Sequence, residues 1–98
     1  MKNLGVALNR TGSVDEAIEI VEESVEIFRH LNDRAAEGSS LVTLGSITSE
    51  AGRLDEAYSA FSRAIDVYLG IGDRVDATKA WDLREAVFRR GGGPPETQ

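Results

Sequence analysis

The residues with chemistry to offer are few. Glu19, Glu22, Glu23 and Glu26 recur at short spacing and gather four carboxylates on one side of a helix. Converging carboxylates are the raw material of a cation site or of paired acid and base catalysis. No histidine ligand accompanies them, however, and a row of glutamates behind an apolar stripe reads as a solvated outer face. The single histidine, His30, follows Arg29 near a helix end, where positive charge complements the helix dipole. A general base would need an orienting partner and a nucleophile or substrate beside it, and the sequence supplies no such constellation. The motifs G-x-x-x-x-G-K-[ST], G-x-G-x-x-G and H-E-x-x-H are absent. The expectation is therefore no enzyme, no metal and no cofactor.

The elements that must position these residues announce themselves by repetition. When residues 1–40 are set over 41–80, eight pairs are identical: Leu4/Leu44, Gly5/Gly45, Gly12/Gly52, Asp15/Asp55, Glu16/Glu56, Ala17/Ala57, Asp33/Asp73 and Arg34/Arg74. Val14/Leu54, Val25/Ile65, Ile27/Val67, Phe28/Tyr68 and Leu31/Ile71 keep their character. The agreement falls on glycines, small residues and apolar positions, which packing fixes, and a period of this length means stacked supersecondary units.

Ninety-eight residues with 41% hydrophobic content make one domain with a modest core. The two prolines stand together at 94 and 95, which leaves the rest free to be helical. No cysteine is present, so the fold must hold by packing alone, and this suits a cytoplasmic setting. No stretch has the length and apolarity of a membrane span, and no signal segment opens the chain. A net charge of −6 argues against nucleic acid as a partner. The one basic cluster is Arg84, Arg89 and Arg90, of which the last two fall where a helix should end.

Taken in order, Met1–Thr11 reads as a short helix with Leu4, Ala7 and Leu8 on one side, closed by Gly12. It lacks the first turns of its own repeat, which predicts an exposed apolar edge at the N-terminus. Either a weak homodimer through that edge or poor order in residues 1–11 should result. Ser13 caps the next helix, which runs to about Leu31 and buries Val14, Ala17, Ile18, Val21, Val25 and Phe28 at the helical period. Asn32 and Gly72 close helix pairs in the same way, before Asp33 and Asp73 each cap the succeeding helix. Residues 34–51 carry Leu41, Leu44 and Ile47 inward, with Gly45 allowing close approach of a partner helix. That partner, Leu54 to about Leu69, buries Leu54, Ala57, Tyr58, Phe61, Ala64, Ile65 and Tyr68. A last helix, Arg74 to Arg90, carries Ala77, Ala80, Trp81, Val87 and Phe88. Trp81 is either a ligand anchor or core, and its register with Leu41 assigns it to the core. Arg84 and Glu85 replace the Leu-Gly pair, so this helix caps the stack, and GGGPPETQ forms a disordered tail. The domain is thus 1–90 and the tail 91–98.

The pattern LG, then G[SR][VL]DEA, then a small residue and an aromatic on the same helix, resembles the tetratricopeptide repeat. With Gly or Asn followed by Asp-Arg between repeats, it is most similar to the long variety of kinesin light chains and bacterial multidomain regulators. The resemblance covers roughly residues 1–90 and implies an all-α, antiparallel helix-pair solenoid of about two repeats plus a C-terminal capping helix. It further implies a concave groove lined by the first helix of each repeat, which takes a peptide or helix of a partner protein. By register the groove residues are Lys2, Val6, Asn9, Arg10, Ser39, Val42, Ser46, Ser49, Lys79, Asp82 and Arg89. The family's clamp for C-terminal carboxylates needs Asn where this chain has Val6, which leaves a mixed, nearly neutral groove. The function expected is a non-catalytic interaction module. The alternative is a structural unit that self-associates through its incomplete ends.

Overall fold

The computed structural model describes residues 12–94. These form four helices, α1 (Gly12–His30), α2 (Arg34–Glu50), α3 (Leu54–Gly70) and α4 (Arg74–Arg89), with no strand among the described residues. The expected helices fall within a residue or two of these bounds. Ser13 lies inside the first turn of α1 instead of ahead of it as a cap. The helix expected over Met1–Thr11, with its apolar edge and the homodimer or poor order predicted from it, lies outside the described residues.

The turns share one chemistry. Asn32, Gly52, Gly72 and Gly91 take φ of 63°, 82°, 76° and 115°, the left-handed region that Gly and Asn tolerate. The next residue's N–H then reaches back over the helix end: Asp33 to Phe28 O at 2.9 Å, Arg53 to Thr48 O at 2.8 Å, Asp73 to Tyr68 O at 2.8 Å and Gly92 to Val87 O at 3.0 Å. At the entry to the next helix, Asp33 and Asp73 accept from the N–H of Ala36 and Asp76 at 3.2 and 3.1 Å, as their residue type predicts. Arg53 holds the same place before α3 and caps nothing with its side chain. Its guanidinium instead reaches Asp15 at 2.6 Å, tying the start of α3 to the start of α1.

Each helix packs mainly on its sequence neighbours, α1 on α2, α2 on α3 and α3 on α4. Phe61, Leu41, Val25 and Thr48 are the largest side chains fully removed from water. Burial of an apolar side chain of this size stabilises by about 1.5–3 kcal/mol. Ala57 and Ala64 are both 0% exposed, so the small residues expected at the helix contact do lie in it. Gly45 serves the same end, facing the Phe61 ring. Thr48 is tolerated in the core because its hydroxyl donates to Leu44 O at 2.8 Å and lies 3.1 Å from Gly45 O. Glu37, also buried, lies between Arg29 Nε at 3.4 Å and Arg34 Nε at 3.6 Å, which closes the corner between α1 and α2.

Trp81 requires a correction. It is 47% exposed, not core, whereas Leu41 at the equivalent position is 1% exposed because α3 covers it. No described helix comes after α4 to do the same, and the indole instead receives the Arg84 guanidinium, 4.4 Å from its ring centre. Phe88 is likewise 56% exposed and lies 6.3 Å, centre to centre, from Tyr58. Beyond α4 the chain crosses the N-terminus of α3, with Gly92 buried and the Gly93 N–H donating to Asp55 at 3.0 Å. A Cβ on Gly92 would stand 2.6 Å from Leu54 O, so only glycine fits there. Residues 95–98 of the expected tail lie outside the described residues.

Candidate partner-binding groove

Helices α2 and α4 run side by side with α3 behind them, so a groove opens between their facing flanks. Two hollows of about 170 Å³ each lie along it. The first is formed by Ser39 and Val42 of α2, Tyr68 of α3, and Asp76, Lys79 and Leu83 of α4. The second is formed chiefly by Ser46, Ser49, Phe61, Leu83, Val87 and Arg90. Leu83 is common to both and 39% exposed, an apolar ridge between two partly polar depressions.

Of the residues assigned by register, Ser39, Val42 and Lys79 meet in the first hollow, and Ser46 and Ser49 in the second. Asp82 and Arg89 are exposed and line neither. Lys2, Val6, Asn9 and Arg10 lie outside the described residues. The physical reason for the divergence on α4 is that side-by-side helices show one another opposite flanks. Residues 39, 42, 46 and 49 are the flank of α2 that faces α4, and translation by one period copies them to 79, 82, 86 and 89, of which only 79 and 86 lie on the side of α4 that faces α2. The side of α4 facing α2 is instead 76, 79, 83, 86 and 90. Leu83, Asp76 and Arg90 were missed for this reason. A signal was available in the helical spacing of Leu83 from the core residues Ala80 and Val87.

The electrostatics differ between the two ends. In the first hollow, hydrogen bonding with Asp73, then burial and the Asp73 charge, hold the Asp76 carboxyl above its ordinary 3.8, while Lys79 opposes them. Burial, reinforced by Asp76 and Asp73, keeps the Tyr68 phenol above its ordinary 10.0, so it remains a neutral hydroxyl. In the second hollow, Arg90 Nη1 donates to Ser49 Oγ at 2.8 Å, bridging the ends of α2 and α4. The basic residues near the C-terminus therefore make specific contacts: Arg84 also lies 5.1 Å from the Tyr58 ring centre and donates to Ser62 Oγ at 2.9 Å.

A larger hollow of about 370 Å³ opens on the opposite side, between α1 and α3, over Ile18, Leu44, Thr48 and Ala60 with Glu22 and Glu56 at its rim. None of the described residues assigned to the groove lines it. Among the described residues no group of three His, Cys, Asp or Glu is placed to hold a metal ion. His30 is exposed, its Nδ1 2.9 Å from Glu26 O, and no helix is long and apolar enough to cross a membrane among the described residues.

No curated protein and no solved structure matches the chain. A family model described as Tetratricopeptide repeat matches residues 1–70. That span takes in α1, α2 and α3, with the Gly45–Phe61 contact and the left-handed turns at Asn32 and Gly52 that shape them. By sequence and by architecture alike, the chain belongs to the tetratricopeptide repeat family.

Proposed function

We propose that this chain is a non-catalytic interaction module that takes a peptide or helix of a partner protein along the groove between α2 and α4. Tetratricopeptide repeats are generally protein–protein interaction modules. The observation that carries the reading for this chain is Leu83, exposed between two hollows whose walls offer serine hydroxyls, a lysine and an arginine. An apolar ridge with polar groups on either side suits a segment that straddles it with one side chain in each hollow. The turns at residues 32, 52 and 72, twenty residues apart, support assignment to the long variety of the repeat. A cytoplasmic setting fits a fold held by packing without cysteine.

The test is selection from a displayed library of random twelve-residue peptides on the immobilised chain, with rescreening on Leu83→Arg. The expected result is enriched peptides that lose most of their binding to that variant and keep it on Glu19→Lys, a change on α1 away from the groove. Enriched peptides that bind Leu83→Arg unchanged would place recognition elsewhere and overturn the proposal.

A further inference from the structure

The first helix pair shows what such a pair presents to the helix stacked on it. Val25 and Arg29 of α1, with Arg34, Glu37, Gly38 and Leu41 of α2, form a seat beneath α3. Val25, Glu37 and Leu41 are 0%, 3% and 1% exposed. The Tyr68 ring lies on Gly38, so close that a Cβ there would stand 2.9 Å from it. Forty positions on, the same places are Ile65, Leu69, Arg74, Ala77, Thr78 and Trp81, and these line an open hollow of about 470 Å³.

The differences between the two seats run mostly in one direction, the exception being Thr78 where the first seat has Gly38. Leu69 and Ala77 stand where the first seat has the Arg29–Glu37 ion pair, and Trp81 stands where it has Leu41. A helix face that meets water is expected to be more polar than its covered counterpart. This one is more apolar, with Leu69 55% and Trp81 47% exposed. Arg74 keeps the charge of Arg34 and lacks its carboxylate: Arg34 has Glu37 at 3.6 Å, while Arg74 has no carboxylate within 4.0 Å among the described residues.

We propose that this seat docks an amphipathic helix of a partner protein, antiparallel to α4 as α3 is to α2. Its pattern is the one the chain uses itself, a β-branched residue three positions before an aromatic, as in Val25/Phe28 and Ile65/Tyr68. The aromatic fills the hollow from a position set back from Thr78, because a ring seated as Tyr68 is on Gly38 would stand 2.9 Å from the Thr78 Cβ. A carboxylate just beyond it meets Arg74, because Gly70 holds that place over Arg34, whose Nη2 lies 4.0 Å from where a Gly70 Cβ would be. The α3 of a second copy is not free to do this, since it is already packed between α2 and α4. The docking is independent of the groove.

Trp81 is the only tryptophan and lines the seat, so its fluorescence reports occupancy directly. The full chain is titrated with a synthetic peptide of residues 54–70 carrying Gly70→Glu, held helical by a lactam bridge on its exposed side and checked by circular dichroism. A saturable blue shift with Kd of about 100 μM or tighter is expected. The shift should weaken at least ~10-fold with a Tyr68→Ser peptide and in a Leu69→Arg/Ala77→Glu chain of unchanged circular dichroism, and persist in Leu83→Arg. No shift at about 1 mM peptide, or equal binding of the Tyr68→Ser peptide, overturns the proposal. So does a Trp81 shift that tracks chain concentration alone and sediments as a dimer, which would make the occupant a second copy.

Discussion

The Phe61 ring lies against the backbone of α2 at Gly45, where an added Cβ would stand 2.6 Å from Cδ1 and 2.7 Å from Cζ. Phe61 is 2% exposed, so the ring has no solvent to move into. Replacing glycine by alanine inside a helix ordinarily gains about 1 kcal/mol, and overpacking a core costs about 1–3 kcal/mol. The clash wins here because both sides of it are rigid. Gly45→Ala is expected to lower stability by about 1–2 kcal/mol in urea melts, and Phe61→Leu in the same chain to recover part of the clash.

Ala57, 0% exposed, presents the same limit from the other helix. Ala57→Leu should cost about 1–3 kcal/mol, whereas Ile20→Ala, at a site 63% exposed, should stay within about 0.5 kcal/mol of the parent. Equal urea midpoints for Ala57→Leu and the parent would contradict the packing.

Glu37 has a buried carboxylate held between two half-exposed arginines, one of them Arg29 with 46% of its side chain exposed. Removing Arg29 alone leaves that charge under-partnered. Arg29→Ala should therefore destabilise by about 1–2 kcal/mol, after allowance for solvent screening. The second repeat places Leu69 and Ala77 at these positions, so Arg29→Leu with Glu37→Ala should cost less than Arg29→Ala alone. Thermal melts of the three chains decide the order.

Asp76 introduces a pH dependence whose sign is set by the direction of its shift. A carboxyl held above its ordinary 3.8 in the fold binds its proton more tightly folded than unfolded. Its contribution is then favourable at low pH and is lost as pH rises from 3.8 through the raised folded value. Asp76→Asn should raise the Tm at neutral pH, and the gain should shrink as the parent is acidified through that window. A gain of the same size at every pH would show that Asp73 and Asp76 do not repel.

The helices and their turns were legible in the sequence because the forty-residue match falls on residues whose physics is local. Gly52 and Gly72 must take positive φ, and Asp33 and Asp73 must cap. The α2 half of the groove was legible for the same reason, since Ser39, Val42, Ser46 and Ser49 share one flank of one helix. What translation by one period could not convey is which flank of α4 faces α2, and so it points to Asp82 and Arg89 in place of Leu83 and Arg90. Trp81 shows the same limit. Its register with Leu41 is correct, but burial depends on what lies above a position, and α3 has no described counterpart above α4.

Among the described residues the substantial contacts run only from each helix to the next, α1 to α2 to α3 to α4. Under tension applied at the two ends of the described span, no substantial packing of α1 on α4 must break before anything moves. The molecule should yield in small steps, helix by helix from whichever end is less well held, and re-form in the reverse order when the load falls. Among the polar contacts that span about one repeat, Arg53 to Asp15 and Gly93 to Asp55 fasten the start of one helix to the start of another. Mechanically the chain is an extensible spring whose stiffness is set locally.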